Sequence, residues 1–174
     1  MAKSDSFFIR AKVENNTGSY IQTEIDLGSF VNLGVTKSTV LRIHRCQVQW
    51  ASNTSVDAPI YSLVAAGAKL AYQVTTQSQS ALVLADDKSL ICCGSLQCFG
   101  DPEATAHALG MSEDADINVA EYTNGYLVGV DSIFLATDSA GTMSSGGTDC
   151  AIVLECTLET ATQASSTALA LSQQ

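Results

Sequence analysis

Residues 38–52, Ser-Thr-Val-Leu-Arg-Ile-His-Arg-Cys-Gln-Val-Gln-Trp-Ala-Ser, constrain this chain more than any other segment. They alternate apolar and polar side chains, the period of a half-buried strand. The alternation changes parity partway: Leu41 and Ile43 share one parity, while Cys46, Val48 and Trp50 share the other. A regular strand would therefore put half of this apolar set into water. One extra residue near His44 and Arg45, a β-bulge, restores a single apolar face and bends the strand. A long strand bent in its middle belongs in a sandwich or barrel rather than in a flat open sheet.

The rest of the chain reads mostly as strands. In residues 6–13, Phe7, Ile9, Ala11 and Val13 point one way and Phe8, Arg10 and Lys12 the other. The turn residues Asn15, Asn16, Thr17 and Gly18 follow, then a second strand over 19–27, so that 6–27 reads as a hairpin. Further strands are expected at 68–76, 81–85, 89–99, 116–122, 125–137 and 149–160, with Asn124 and Gly125 forming a tight turn. Residues 58–67 suit a helical turn or a loop, and 139–148 a loop. Residues 101–111 read as the one short helix: Asp101 as N-cap, Pro102 at the first position, Glu103 in the first turn and Gly110 at the end. Eight to ten strands with little helix describe an all-β sandwich or barrel. It forms one domain over residues 1–160. Residues 161–174 carry no charge and are rich in Thr, Ala, Ser and Gln. They read as a C-terminal tail, flexible or docking on a neighbouring subunit.

Charge is placed unevenly. All eight Lys and Arg lie in residues 1–88 with seven acids, whereas residues 89–174 hold eleven acids and no Lys or Arg. Carboxylates of the second half must face water, bind metal, or meet cations from elsewhere. Those cations could come from a neighbouring copy in a head-to-tail assembly. The net charge of −10 argues against a generic nucleic-acid binder, whose affinity comes from cations meeting phosphates. No stretch approaches the roughly 18 apolar residues of a membrane span. The opening MAKSDSFFIR lacks the apolar core of a secretory signal.

Reactive constellations are scarce. Cys46, Cys92, Cys93, Cys98, Cys150 and Cys156 match neither paired zinc knuckles nor an iron–sulfur pattern, and read as small buried hydrophobes, with a late-formed disulfide as the alternative. His44 and His107 are too few and too separate for a cupin-like metal enzyme. No nucleophile elbow, phosphate loop or dithiol motif occurs. The expectation is a protein that is not an enzyme and uses no cofactor. Two surface features stand out. Arg42, His44 and Arg45 form the one local cationic patch, a candidate contact for an acidic neighbour or a polyanion. Glu113, Asp114 and Asp116 form a candidate acidic contact, or a weak calcium loop with Asp101 or Glu103.

Three segments carry a resemblance to a known family: residues 7–13 (FFIRAKV), 25–31 (IDLGSFV) and 40–44 (VLRIH). They resemble the coat proteins of small tailless icosahedral viruses, including predicted coat proteins of small marine viruses. That resemblance implies a single jelly-roll β-sandwich of about eight strands in two antiparallel sheets with one short helix. It further implies a capsid subunit repeated in a closed shell in the virion, made in the host cytoplasm, with other virion proteins as candidate partners. The basic arm common in such proteins is missing here, so contact with nucleic acid is expected to be weak or indirect. Two other classes stand beside this one. A carbohydrate-binding or adhesin-like β-sandwich would need an exposed aromatic platform, and a cupin-like metal enzyme would need convergent ligands.

Overall fold

A computed structural model describes residues 4–16, 18–33, 37–58, 60, 68–100, 108–140 and 147–173, leaving aside the side chains of 37, 68, 98–100 and 108–115. Its spine is β3 (Lys37–Ser52), which pairs along its whole length with β9 (Thr148–Thr162). The register shifts between Ile43 and Arg45, so His44 is the extra residue of a bulge. Leu41 and Ile43 before the bulge and Cys46, Val48 and Trp50 after it all contribute to one core. The parity change in the sequence thus becomes one continuous apolar face.

Among the described residues, nine strands form two antiparallel sheets. The remaining strands are β1 (Phe7–Asn15), β2 (Ile21–Asp26), β4 (Ala68–Thr75), β5 (Leu90–Gly100), β6 (Ala108–Ile117), β7 (Tyr126–Val128) and β8 (Ser132–Ala140). The four-stranded sheet runs β1-β9-β3-β7 and the five-stranded sheet β2-β8-β4-β5-β6. Most successive strands sit in opposite sheets, the interleaving of a jelly roll. Local pattern found β1 and β2 but not their partners. The turn at Gly18 (φ 68°) carries the chain across to the other sheet, so β1 pairs with β9 and β2 with β8 rather than forming a hairpin.

Between the sheets lie Val13, Leu41, Ile43, Val74, Ile91, Ile133, Leu135, Ile152 and Leu154, all buried. Aromatic rings join this core at two places. Phe7 stacks on Phe30 with centroids 5.1 Å apart, and Trp50 on β3 meets Tyr72 on β4 edge-on at 6.0 Å, tying one sheet to the other.

Several expectations fail for identifiable reasons. Residues 81–85 are not a strand. They belong to the β4–β5 connection, held by the buried amide of Gln73, which donates to Ala81 O (3.1 Å) and accepts from Val83 N–H (2.8 Å). The helix expected over 101–111 is a strand from Ala108 onward, and residues 101–107 lie outside the described residues. Residues 116–122 end β6 and turn through a short 3-10 segment, Val119–Glu121, capped by Asn118. The single strand expected over 125–137 is two, β7 and β8, in different sheets.

The uncharged segment 161–174, expected as a tail, contains the helix α1 (Gln163–Ser172) instead. Thr162 caps it by accepting from Ser165 N–H at 3.2 Å. The helix lies against β3 and β9 of its own chain: buried Ser166 hydrogen-bonds Ser38 at 2.9 Å. Beyond it, Gln173 is buried and bonded to both sheets, which closes the segment onto the sandwich.

Candidate functional site

The outward face of the four-stranded sheet is the place where the sequence-predicted cationic patch sits. Bulging at His44 puts Arg42, His44 and Arg45 on the side of β3 away from the core, yet the three have different fates. Arg42 is committed internally. Its Nε and second guanidinium nitrogen grip both carboxylate oxygens of Glu159 at 2.7 and 2.9 Å, and the remaining nitrogen donates to Asn124 O at 2.5 Å. Glu159 is 1% exposed and the Arg42 side chain 14% exposed, so this is a desolvated, bidentate pair. The paired carboxylate holds the guanidinium pKa above its ordinary value.

His44 also turns to its own chain, with Nε2 2.9 Å from Thr157 Oγ1. Arg45 alone faces solvent. It stands in a cross-strand row with Glu155 of β9 and Phe8 of β1, because Arg45 and Phe8 both register against Glu155. Two adjoining depressions share Arg45 and Glu155. One, of about 260 Å³, is completed by Phe8, Gln47 and Val153. The other, of about 410 Å³, reaches past His44 and Thr157 to Tyr122. Phe8 is 54% and Tyr122 43% exposed, so an aromatic ring borders each depression. Arg10 lies over the Phe8 ring, 5.7 Å from its centroid. Sequence reasoning found Arg45 and assigned Trp50 to the core, where it packs, but did not pick out Phe8 or Tyr122 as exposed rings. The signal for Phe8 was its parity opposite Phe7.

The acidic candidates lie elsewhere. Glu113, Asp114 and Asp116 sit on β6, the edge strand of the other sheet, rather than in a loop. Asp116 is exposed beside a cavity of about 350 Å³ under the Leu82–Val83–Leu84 connection, with Lys69, Cys93 and Asp138 on its wall. The side chains of Glu113 and Asp114, and residues Asp101, Glu103 and His107, lie outside the described residues. Among the described residues no three His, Cys, Asp or Glu side chains are grouped to hold a metal ion. No helix among them is long and apolar enough to cross a membrane.

Folding redistributes the charge. Lys12 bridges Glu14 at 2.5 Å and Asp149 at 3.3 Å, and Arg42 takes Glu159, so carboxylates of the cation-free half meet cations of the same chain. The strands of the four-stranded sheet carry a formal charge of +1, from Arg10, Lys12, Lys37, Arg42 and Arg45 against four acids. Those of the five-stranded sheet carry −5, with Lys69 against six acids.

No protein-family profile and no curated protein matches the sequence. The fold does have solved counterparts. VP1 of Human Polyomavirus 12, solved in complex with 3'-sialyllactosamine, aligns over 91% of this chain and 100% of its own, at TM-score 0.51 and 10% identity. VP1 of Trichodysplasia spinulosa-associated polyomavirus, in complex with GM1 oligosaccharide, aligns over 89% of this chain and 93% of its own, at TM-score 0.50 and 8% identity. At these identities the likeness is one of fold, and it is that of a viral VP1 jelly roll.

Proposed function

We propose that this chain is a structural, self-assembling capsid subunit that acts through its shape and edges rather than through reactive groups. The observation that carries this reading is the strand arrangement: two interleaved sheets, β1-β9-β3-β7 and β2-β8-β4-β5-β6, in a fold shared with viral VP1 proteins. A jelly roll of this kind tiles as a rigid block, because its sheets are locked by a common core while its outer faces and edge strands stay available for neighbours. The charge difference between the two sheets favours contacts between unlike faces of neighbouring copies. Arg45 on one sheet and the acidic edge strand β6 on the other are the residues assigned to such contacts. The role places the protein in the virion, with copies of itself as the main partner, other virion proteins as further partners and only weak contact with nucleic acid.

Negative-stain microscopy and light scattering of the purified chain test this. Uniform rings or shells, shifting with ionic strength, are the expected result. A monomer that persists at high concentration across a range of salt overturns the reading.

A second reading rests on one specific observation, the exposed rings of Phe8 and Tyr122 bordering depressions that share Arg45. This is the aromatic platform that a carbohydrate-binding sandwich requires, and the VP1 structures above were solved with glycans bound. Glycan-array binding lost in both Phe8→Ala and Tyr122→Ala would support it. A blank array would remove it.

A further inference from the structure

The β4–β5 connection lies on the outer side of the five-stranded sheet. Tyr72 and Val74 of β4 face the core, so Gln73 between them faces outward, and Gln73 is what holds the connection. On it Leu84 is 78% and Leu82 38% exposed. A leucine this open contributes little to its own fold, yet the chain around it is fixed. Gln73 accepts from Val83 N–H just before it, and a turn closed by Asp87 N–H on Leu84 O at 3.0 Å follows. The Asp87 carboxylate anchors that turn by accepting from Ser89 N–H at 2.8 Å and from the Ser89 hydroxyl at 2.6 Å. Asp86, inside the turn, is exposed, and Asp116 of β6 borders the same connection. The result is a fixed knob, apolar at Leu84 and acidic at Asp86.

The outward face of the other sheet holds a hollow of complementary chemistry. Its depression of about 260 Å³ exceeds the roughly 150 Å³ in which an apolar protein cavity takes up benzene. Phe8 and Val153 give it apolar walls and Arg45 a cation. Glu155 shares the depression, and Arg10 over the Phe8 ring offsets that carboxylate, so Arg45 leaves the hollow positive. Phe8 and Arg45 stand on β1 and β3 with β9 between them, about 10 Å apart along the backbone. Leu84 and Asp86 are up to about 7 Å apart along the chain, and their side chains make up the difference.

We propose that Leu84 of one copy seats in the Phe8–Val153 depression of the next, with Asp86 paired to Arg45. This rests on the capsid-subunit reading and names the two surfaces that meet. The contact joins unlike faces, so it is head-to-tail: each copy offers one knob and one hollow, and repetition gives a ring where the rotation closes. Burial of the leucine supplies the affinity, and the unlike charges set orientation and speed of approach. A knob already rigid when free loses little conformational entropy on seating. A second copy is the occupant that fits, because one chain carries both complementary halves.

Sedimentation velocity and light scattering of the full chain over a range of concentrations test this. Leu84→Ser, Arg45→Asp and Asp86→Arg should each weaken association about tenfold or more. The melting midpoint should stay where it is, since all three side chains are exposed. Mixing the Arg45→Asp and Asp86→Arg chains in equal amounts should restore assembly beyond the dimer, because every hollow then faces a knob of opposite charge. That rescue also excludes misfolding as the cause of the loss. Wild-type assembly that the single variants leave unchanged, variants that mixing does not rescue, or association that stops at a dimer overturns this contact while the capsid reading stands. A wild-type chain that stays monomeric overturns both.

Discussion

The side-chain amide of Gln173 straddles β7: its Oε1 accepts from Gly129 N–H at 2.9 Å and its Nε2 donates to Leu127 O at 2.5 Å. An amide held this way does for the edge strand what one more paired residue would do. The Gln173 main-chain carbonyl meanwhile accepts from Thr76 Oγ1 at 2.9 Å and from Gln77 Nε2 at 3.2 Å, on the connection leaving β4. One residue therefore ties the end of α1 to both sheets.

Gln173→Ala leaves the Gly129 N–H and Leu127 carbonyl without these partners, a loss of about 1–3 kcal/mol. Urea denaturation should show a lower midpoint at unchanged slope. Gly129→Ala should act at the same seam, because an added Cβ would stand 2.8 Å from Leu169 Cδ2 and 3.3 Å from Ala170 N, pushing the helix away. If both variants melt like the parent, α1 is not a structural part of the sandwich.

Arg42→Ala should destabilise the fold by about 3–5 kcal/mol, since it removes the bidentate guanidinium from the buried Glu159 carboxylate. Replacing both residues with apolar ones of similar volume, Arg42→Met with Glu159→Leu, should recover most of that loss. Arg42→Lys should recover little, because an ammonium cannot grip both oxygens and reach Asn124 as well. A double variant no better than Arg42→Ala would show that the pair matters for more than charge balance.

Deleting His44 should abolish folding, whereas His44→Ala should cost only about 1 kcal/mol for the lost contact with Thr157. The deletion removes the extra residue, so either Leu41 and Ile43 or Cys46, Val48 and Trp50 must turn outward. Gly125 offers a second probe of the same corner. At φ +65° its added Cβ would collide with the Ile43 carbonyl, so Gly125→Ala should also destabilise. Circular dichroism and solubility of the three variants check this; a folded deletion would refute the bulge.

Alkali should weaken the protein earlier than acid-stable groups alone would suggest. Burial pushes the Cys156 thiol from near 9.0 up to about 12, and burial likewise raises the Tyr72 and Tyr126 hydroxyls. A group whose folded pKa exceeds its unfolded one contributes its full stability below the unfolded value. That contribution declines as pH climbs toward the folded value, because there the unfolded chain has already lost its proton. Stability should hold to about pH 8.5 and then fall steadily toward pH 12. Cys156→Ala should flatten the slope, as read by melts between pH 7 and 11. An unchanged slope would mean that this thiol titrates alike in both states.

How much of this was legible beforehand differs from element to element. Strand β1 was readable because Phe7, Ile9, Ala11 and Val13 alternate with charged or exposed neighbours, and β9 because its apolar residues do the same. Residues 81–85 misled, since an apolar run looks alike in a strand and in a connection pinned by a buried glutamine. The helix α1 was unreadable: its Ala, Ser, Thr and Leu residues show no strong stripe, and it gains its place from a threonine cap and from packing on β3 and β9. Within the cationic patch, the sequence could show that Arg42, His44 and Arg45 were adjacent but not which of them already had a partner.

The residues themselves settled the all-β class and the bulge at His44, because backbone alternation is a local property with a period of two. They settled equally that one half of the chain would lack cations. Only the folded chain decided which sheet each strand joins and that Arg42 would meet Glu159, 117 residues away. It also decided that Arg45 would be left facing water between two exposed rings. Those outcomes depend on pairings between distant segments, where the gain from burying a shared core selects one register among many that local pattern allows equally.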